Sequence, residues 1–346
     1  MGKLARRSVA VLLGVLFAIP LIPSAAARAD TGPDKVTVGV FVNDIQDIDL
    51  AADSFTADFY LWFRWKGDVD PTDSIEPMNS NAMQNTTTSE TGGVAGKALY
   101  PAPLDMPDGT KYMAFRYQGV FSRKMSLENY PFDQQNLVIL FEDQNEDIRD
   151  LEFVPDTTPA AISPLVTMPG YEIGQPTLTV KPHRYPTNFG DLAAPQEAKY
   201  SRIAITVPVS RDPLPYLVKI ILPILIVILI TSLIYMIPAR LEDSRTGIGV
   251  TAMLTIVALQ WTTDSNLPSV EYLTLLDLIY IVSLVYVLIA MGYTVLASRR
   301  HAHEAAEALS TSLDRRVGVI SLVAYVLVIT LTMVLYLSRE LVDPLL

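Results

Sequence analysis

The chain has 346 residues, half of them hydrophobic, with 37 acidic against 26 basic side chains and no cysteine. Disulfides, thiolate metal centres and cysteine nucleophiles are therefore excluded. Residues 30–213 hold 27 Asp/Glu against 14 Lys/Arg. That balance argues against nucleic acid as a partner, because such binding needs basic surface, and it favours cations near the protein. Plain solubility would account for the same balance.

Met1 to Ala29 has the layout of a secretory signal: Lys3, Arg6 and Arg7, then an apolar stretch from Val9 to Ile22, then Ala27-Arg28-Ala29 as a cleavage site. A retained anchor is the alternative. The next part, 30–213, reads as short strands separated by turns. Val36 to Val42 alternates, and Phe55 to Trp65 is rich in aromatic residues. Tyr112 to Phe121, Leu137 to Phe141, Thr177 to Lys181 and Tyr200 to Val209 are further strand candidates, with Pro107-Asp108-Gly109 as a turn. Residues 76–98, rich in Asn, Ser, Thr and Gly, are expected to form a loop, and Asn85-Thr86-Thr87 is a chance glycosylation match. This pattern predicts an all-β sandwich.

Residues 214–346 carry four apolar spans: Pro215 to Ile237, Arg245 to Thr263, Tyr272 to Ala297 and Val317 to Leu337. The second is the least apolar. At helical spacing Gly247, Thr251, Leu254, Ala258, Trp261 and Ser265 share one face, small and polar at one end and apolar in the middle. Such a helix suits a wall between protein and water, or a buried helix whose hydroxyls bond to its own backbone. Basic residues collect after the first span (Arg240, Arg245) and in the 298–316 link (Arg299, Arg300, Arg315, Arg316), while Asp264 to Glu271 has none. The positive-inside rule then puts the sandwich and the chain terminus on the exported side. Asp277 is expected to face protein near the outer half of the third span. His183, His301 and His303 are too scattered for a metal triad, and no nucleophile motif is present, so an enzyme is not expected.

The segment Met125-Ser126-Leu127-Glu128-Asn129-Tyr130-Pro131-Phe132-Asp133-Gln134-Gln135-Asn136-Leu137 resembles the signature loop of the Cys-loop receptor superfamily, an aromatic-Pro-Phe-Asp core between two cysteines. Arg123 and Leu137 stand at the cysteine positions, as in the family's prokaryotic branch. Phe55 to Trp65 is similar to the family's second strand, Arg211 and Pro213 precede the first span as they do there, and Pro223 lies within it. Arg245-Thr246-Gly247-Ile248-Gly249-Val250-Thr251 resembles the start of a channel-lining helix, with Leu267-Pro268 after it.

The resemblance implies a homopentamer: an extracellular immunoglobulin-like β-sandwich joined to a four-helix transmembrane bundle, in a bacterial plasma membrane. The partners implied are four identical subunits, membrane lipid, permeant inorganic ions and an agonist that is a small amine, a proton or a divalent cation. The second span would line the pore through Asp243, Gly247, Thr251, Leu254, Ala258, Trp261 and Ser265. Asp243, reinforced by Glu242, would form a ring selecting cations, unless Asp243 only bridges to Arg240 or Arg245. Leu254 and Trp261 would form the gate, with packing against a neighbouring helix as the plainer role for Trp261.

Coupling between sandwich and membrane would run through Asp49, Asp53, Tyr130, Pro131, Phe132, Asp133, Arg211 and Asn266-Leu267-Pro268, with Arg211 pairing with Asp133 and Asp49 as its other candidate partner. An agonist pocket between neighbouring sandwiches would use Tyr60, Trp62, Gln144, Tyr185, Phe189 and Tyr200, whose aromatic faces suit an ammonium, although strand aromatics commonly serve the core. No cofactor is required. The carboxylates Glu142, Asp143, Glu146, Asp147, Asp150 and Glu152 could hold calcium as a modulator, or form a solvated loop. The competing reading is a membrane-tethered receptor that conducts nothing.

Overall fold

A computed structural model describes residues 32–67, 70–80, 95–190, 197–265, 267–301 and 307–340. The signal-like start, most of the 76–98 loop with Asn85-Thr86-Thr87, Asn266 and His303 lie outside the described residues; so do the side chains of Arg300 and His301.

Eleven strands precede the first helix among the described residues. β1 (Asp34–Asp49) pairs antiparallel with β2 (Ser54–Trp65), which pairs with β6 (Lys111–Ser122). β4 (Ala95–Ala98) and β5 (Leu104–Asp105) add to β6, and β8 (Leu151–Ile162) runs parallel to β1. The second sheet has the order β10 (Thr177–Tyr185), β11 (Ala198–Arg211), β7 (Gln134–Asp143), β3 (Ile75–Pro77), with β9 (Tyr171–Ile173) against β11.

Period-two burial fixes the register. In β2, Phe55, Ala57, Phe59, Leu61, Phe63 and Trp65 point inward, so Tyr60, Trp62 and Arg64 must point outward. Phe59 packs on Tyr117, Phe121 and Phe141, which joins the two sheets through one aromatic core. β8 was not anticipated. It carries Pro155 and Pro159, which a central strand would not tolerate, and it lies at a sheet edge where a missing N–H is harmless.

β11 ends at Arg211, and four helices long and apolar enough to cross a membrane follow. The first, α1 (Pro213–Tyr235), starts with Pro213 and Pro215 behind an Asp212 cap that accepts a hydrogen bond from the Leu214 N–H. It widens into a π-helical turn at Leu217–Ile221, just before Pro223, whose ring cannot continue the regular ladder. α2 (Glu242–Asp264) matches the expected second span. α3 (Leu275–His301) starts on a box in which Thr274 donates to Asp277 (2.8 Å) and the Asp277 N–H donates to Thr274 (3.1 Å). Asp277 therefore caps a helix start. α4 (Glu307–Glu340) begins a few turns earlier than its apolar run.

Candidate functional site

α2 is split lengthwise. All seven positions expected to line a water path, Asp243, Gly247, Thr251, Leu254, Ala258, Trp261 and Ser265, are exposed in the single chain. Leu254 is 65% and Trp261 76% exposed. The opposite side, with Arg245, Gly249, Ala252 and Ile256, is buried against the other helices. A Cβ on Gly249 would stand 2.5 Å from Cγ of Met291, so glycine there lets α2 and α3 approach closely. Hydroxyl protons are committed along the backbone: Thr255 donates to the Thr251 carbonyl (2.8 Å), Thr262 to Ala258 (2.9 Å) and Ser265 to Thr262 (2.9 Å). What such hydroxyls offer outward is oxygen, an acceptor for cations or water.

Arg245 does not share the face of Asp243. It is fully buried, and its Nε donates to the Ile237 carbonyl (2.9 Å) and its Nη2 to Asp314 (2.5 Å). The Tyr293 hydroxyl donates to the second Asp314 oxygen (2.6 Å). The local bridge from Asp243 to Arg245 is thus not formed: the acid facing Arg245 comes from α4. Glu242 and Asp243 sit in the first turn of α2, where the helix dipole favours negative charge, and neither has an ion-pair partner among the described residues.

Where the sandwich meets the helices, Arg211 is buried and clamped. Its Nε and Nη2 donate to the two oxygens of Asp133 (2.7 and 3.2 Å), and Nη1 donates to the Tyr216 hydroxyl (3.0 Å). Gln135 donates to Asp133 as well (2.9 Å). The rings of Tyr171, Tyr130 and Tyr216 surround the guanidinium at 4.8, 5.1 and 5.1 Å. Burial works against the charge on Arg211, but the Asp133 hydrogen bonds and charge, together with Tyr171 and Tyr216, raise its pKa. Burial pushes the Tyr130 hydroxyl up to about 12 against the pull of Arg211.

Tyr130 and Leu127 pack in one cluster with Ile224, Leu275 and Ile279, with Phe132 and Leu267 against it. Pro131 is buried and Pro268 half-buried. The Leu275 N–H donates to the Glu128 carbonyl (2.7 Å), and the Leu127 N–H to the Tyr272 hydroxyl (2.9 Å). The segment 125–137 therefore touches both α1 and the start of α3. Asp49 does not reach Arg211; it caps its own turn at Ala51 and Ala52 (2.9 Å each). Asp53 accepts from the Met125 N–H (3.0 Å), tying the β1–β2 turn to the same segment.

The six residues expected around an agonist fall into two groups on opposite sheets. Trp62 lies over Gly39, where any Cβ would meet the indole at 2.2 Å, and donates to Asp156 (3.0 Å). Tyr60 stands 5.7 Å from Arg116, which is paired with Asp58. On the second sheet Tyr185 contacts His183, Phe189 and Tyr200 at 4.6, 5.2 and 5.8 Å between ring centres. Its hydroxyl donates to Glu142 (2.8 Å) and accepts from Arg202 (2.9 Å). Arg202, 5.9 Å from the Tyr185 ring, already sits where an ammonium ligand would be expected. Gln144 donates to Glu76 (2.5 Å). One chain does not bring the two groups together. Arg202 and Arg116 escaped the sequence reading, although both occupy outward positions of alternating strands.

The carboxylates expected around calcium are engaged separately. Among the described residues no three His, Cys, Asp or Glu side chains converge as a metal would require. Glu142 is held by Arg202 and Tyr185. Asp143 accepts from Ser74 (2.7 Å) and from the N–H groups of Asn145 and Glu146 (2.9 and 2.8 Å), and Asp147 pairs with Arg149. Each is turned to a local partner, so Asp150, Glu146 and Glu152 have no cluster to complete.

No family model matches the chain. A proton-gated ion channel of Gloeobacter violaceus is 23% identical over 274 residues, 76% of this chain and 73% of its own length. An acetylcholine-gated chloride channel subunit, acc-2, of Caenorhabditis elegans is 21% identical over 271 residues, and pH-sensitive chloride channel 2 of Drosophila melanogaster is 25% identical over 187 residues. The chain spans 58% and 34% of the lengths of these two.

These likenesses support a pentameric ligand-gated ion channel. The chain is a multi-pass membrane protein. The exposed face of α2 and the buried Arg211 clamp lie in separate parts of the chain, and the two aromatic groups belong to opposite sheets of the sandwich.

Proposed function

We propose that five copies of the chain form a cation-selective channel of a bacterial plasma membrane, with the 30–213 sandwich exported and 214–346 forming the pore. The observation that carries this reading is the lengthwise division of α2: seven lining positions exposed, and the one cation of its first turns, Arg245, buried on the other side against Asp314. Asp243 then meets the water path with no positive group of α2 beside it. Leu254 supplies the apolar ring that excludes water when narrow, with Trp261 as a second constriction. Arg211 and Asp133 join the sandwich to α1 and α3. Tyr60 and Trp62 of one subunit would face Tyr185, Phe189, Tyr200 and Gln144 of the next.

Protons are the agonist we favour over an amine, because Arg202 occupies the Tyr185 face and two of the relatives are named for their response to pH. His183, beside Tyr185, has its pKa lowered by burial and by Arg202, against the pull of Glu142, so acidification would add a charge to this cluster. The test is current across a planar bilayer containing the purified protein. An acid step on the sandwich side should open a conductance whose reversal potential, in asymmetric salt, follows the cation gradient. Asp243→Asn should move that potential towards the anion value. Reversal at the anion value in the unmodified protein, or no current under any acid step, defeats the reading.

A further inference from the structure

We propose that Asp314 of α4 is a positioning residue for ion selectivity: it holds the Arg245 guanidinium away from the water path. The inference rests on the channel reading above and assigns part of the selectivity to a side chain outside the lining face of α2. Arg245 is fully buried, although its chain neighbours Ser244 and Thr246 are exposed. Three elements close around it. The Ile237 carbonyl, just after α1, accepts from Nε (2.9 Å) and also from Nη2. Asp314 accepts from Nη2 (2.5 Å), and Tyr293 of α3 donates to the other Asp314 oxygen (2.6 Å). Tyr293 in turn packs on Tyr235 of α1 at 5.3 Å between ring centres. Among the described residues, Asp314 is the one acid paired with Arg245. The carbonyl and the phenol orient the guanidinium but carry no charge, so a single carboxylate keeps it in place.

A buried cation stripped of its counter-charge is far less stable than the same cation in water. Nη1 of Arg245 is already buried with no hydrogen-bond partner, so the cluster has no spare acceptor to take over from Asp314. The way out is short. Glu242, Asp243 and Ser244, the residues just before Arg245, are all exposed at the start of α2. A long arginine side chain can turn its charged head to water there while its stem stays on apolar surface. Released guanidinium groups would then stand beside the Asp243 carboxylates, and a ring that selects cations becomes a ring of mixed sign. An ion pair with a structural role alone would lower stability when broken and leave the selectivity of the surviving channels unchanged.

The test records reversal potentials of the full-length channel in a planar bilayer under asymmetric potassium chloride. Asp314→Asn keeps the shape of the side chain and removes its charge. The cation-to-anion permeability ratio should fall by about tenfold, the effect of one unit charge brought a few ångströms from another in a partly watery setting. Combining Asp314→Asn with Arg245→Gln removes the released cation and should return the ratio to that of the unmodified channel. A second readout needs no current. Phenylglyoxal, which reacts with accessible guanidinium groups, is added to the purified oligomer, and modified arginines are mapped by peptide mass spectrometry. Arg245 should be protected in the unmodified protein and modified in the Asp314→Asn variant. An unchanged ratio in the single variant, a shift that persists in the double variant, or equal reactivity of Arg245 with and without Asp314 would each overturn the proposal. A single variant that carries no current is decided by the modification map. If the unmodified protein does not conduct cations, the channel reading falls by itself, and the map still decides whether Asp314 holds Arg245 in place.

Discussion

Removing one charge of the Arg211–Asp133 pair leaves the other without a counter-ion in a site closed to water. Asp133→Asn or Arg211→Gln should each destabilise the folded chain by about 3–5 kcal/mol. The double variant should lose clearly less than the sum of the singles. Thermal unfolding of all four proteins closes the cycle, and additive losses would show that the pair is not a unit. A buried carboxylate of β2, Asp58, gives a second test. Arg116 hydrogen bonds hold the Asp58 pKa below its usual 3.8, against a smaller opposing effect of burial. A group with a depressed folded pKa stabilises fully above its unfolded value. Its contribution is then lost as pH falls from 3.8 towards the folded value. Asp58→Asn should flatten the stability profile in that acid window and leave its slope above pH 5 unchanged; unfolding followed from pH 3 to 6 decides it.

At the scale of elements, packing sets the tolerance of each helix. A Cβ on Gly318 of α4 would stand 2.6 Å from Cβ of Tyr235, an atom fixed to the α1 backbone. Gly318→Ala should therefore cost about 1–3 kcal/mol through overpacking. At Gly292 of α3 nothing lies within 4 Å, and alanine there should cost nothing of this kind. Denaturant midpoints of the two variants should differ in that order. Within the proposed pore, Leu254→Ala enlarges and wets the narrow ring, so the variant should open at a milder acid step than the unmodified channel; dose-response curves of current check it.

Much of this was legible in the chain. Alternation in β2 places Tyr60 and Trp62 outward whatever the tertiary fold, and the polar stripe on α2 survives any packing of its greasy side. What was hidden depends on partners distant in sequence. Nothing local shows that Arg245 turns to Asp314, 69 residues away. Nor does composition reveal that Glu142 is consumed by Arg202 and Tyr185, which is why an acidic run read as a calcium site dissolves into separate pairs. β8 was missed because its prolines contradict a central strand, and only the sheet order shows it at an edge.

For the whole molecule, the division of labour follows from where charges sit. The charges at two places in the fold differ in kind: a desolvated pair at the sandwich boundary, and solvated Asp243 at the start of α2. Dissolved salt shortens the reach of exposed charge to about 10 Å at 0.1 M and about 3 Å at 1 M, while leaving enclosed charge nearly untouched. In the channel proposed above, ionic strength should thus weaken the discrimination between permeant ions and barely move the stability that the Arg211–Asp133 pair contributes. An experimenter could then dial the two properties independently with nothing more than potassium chloride.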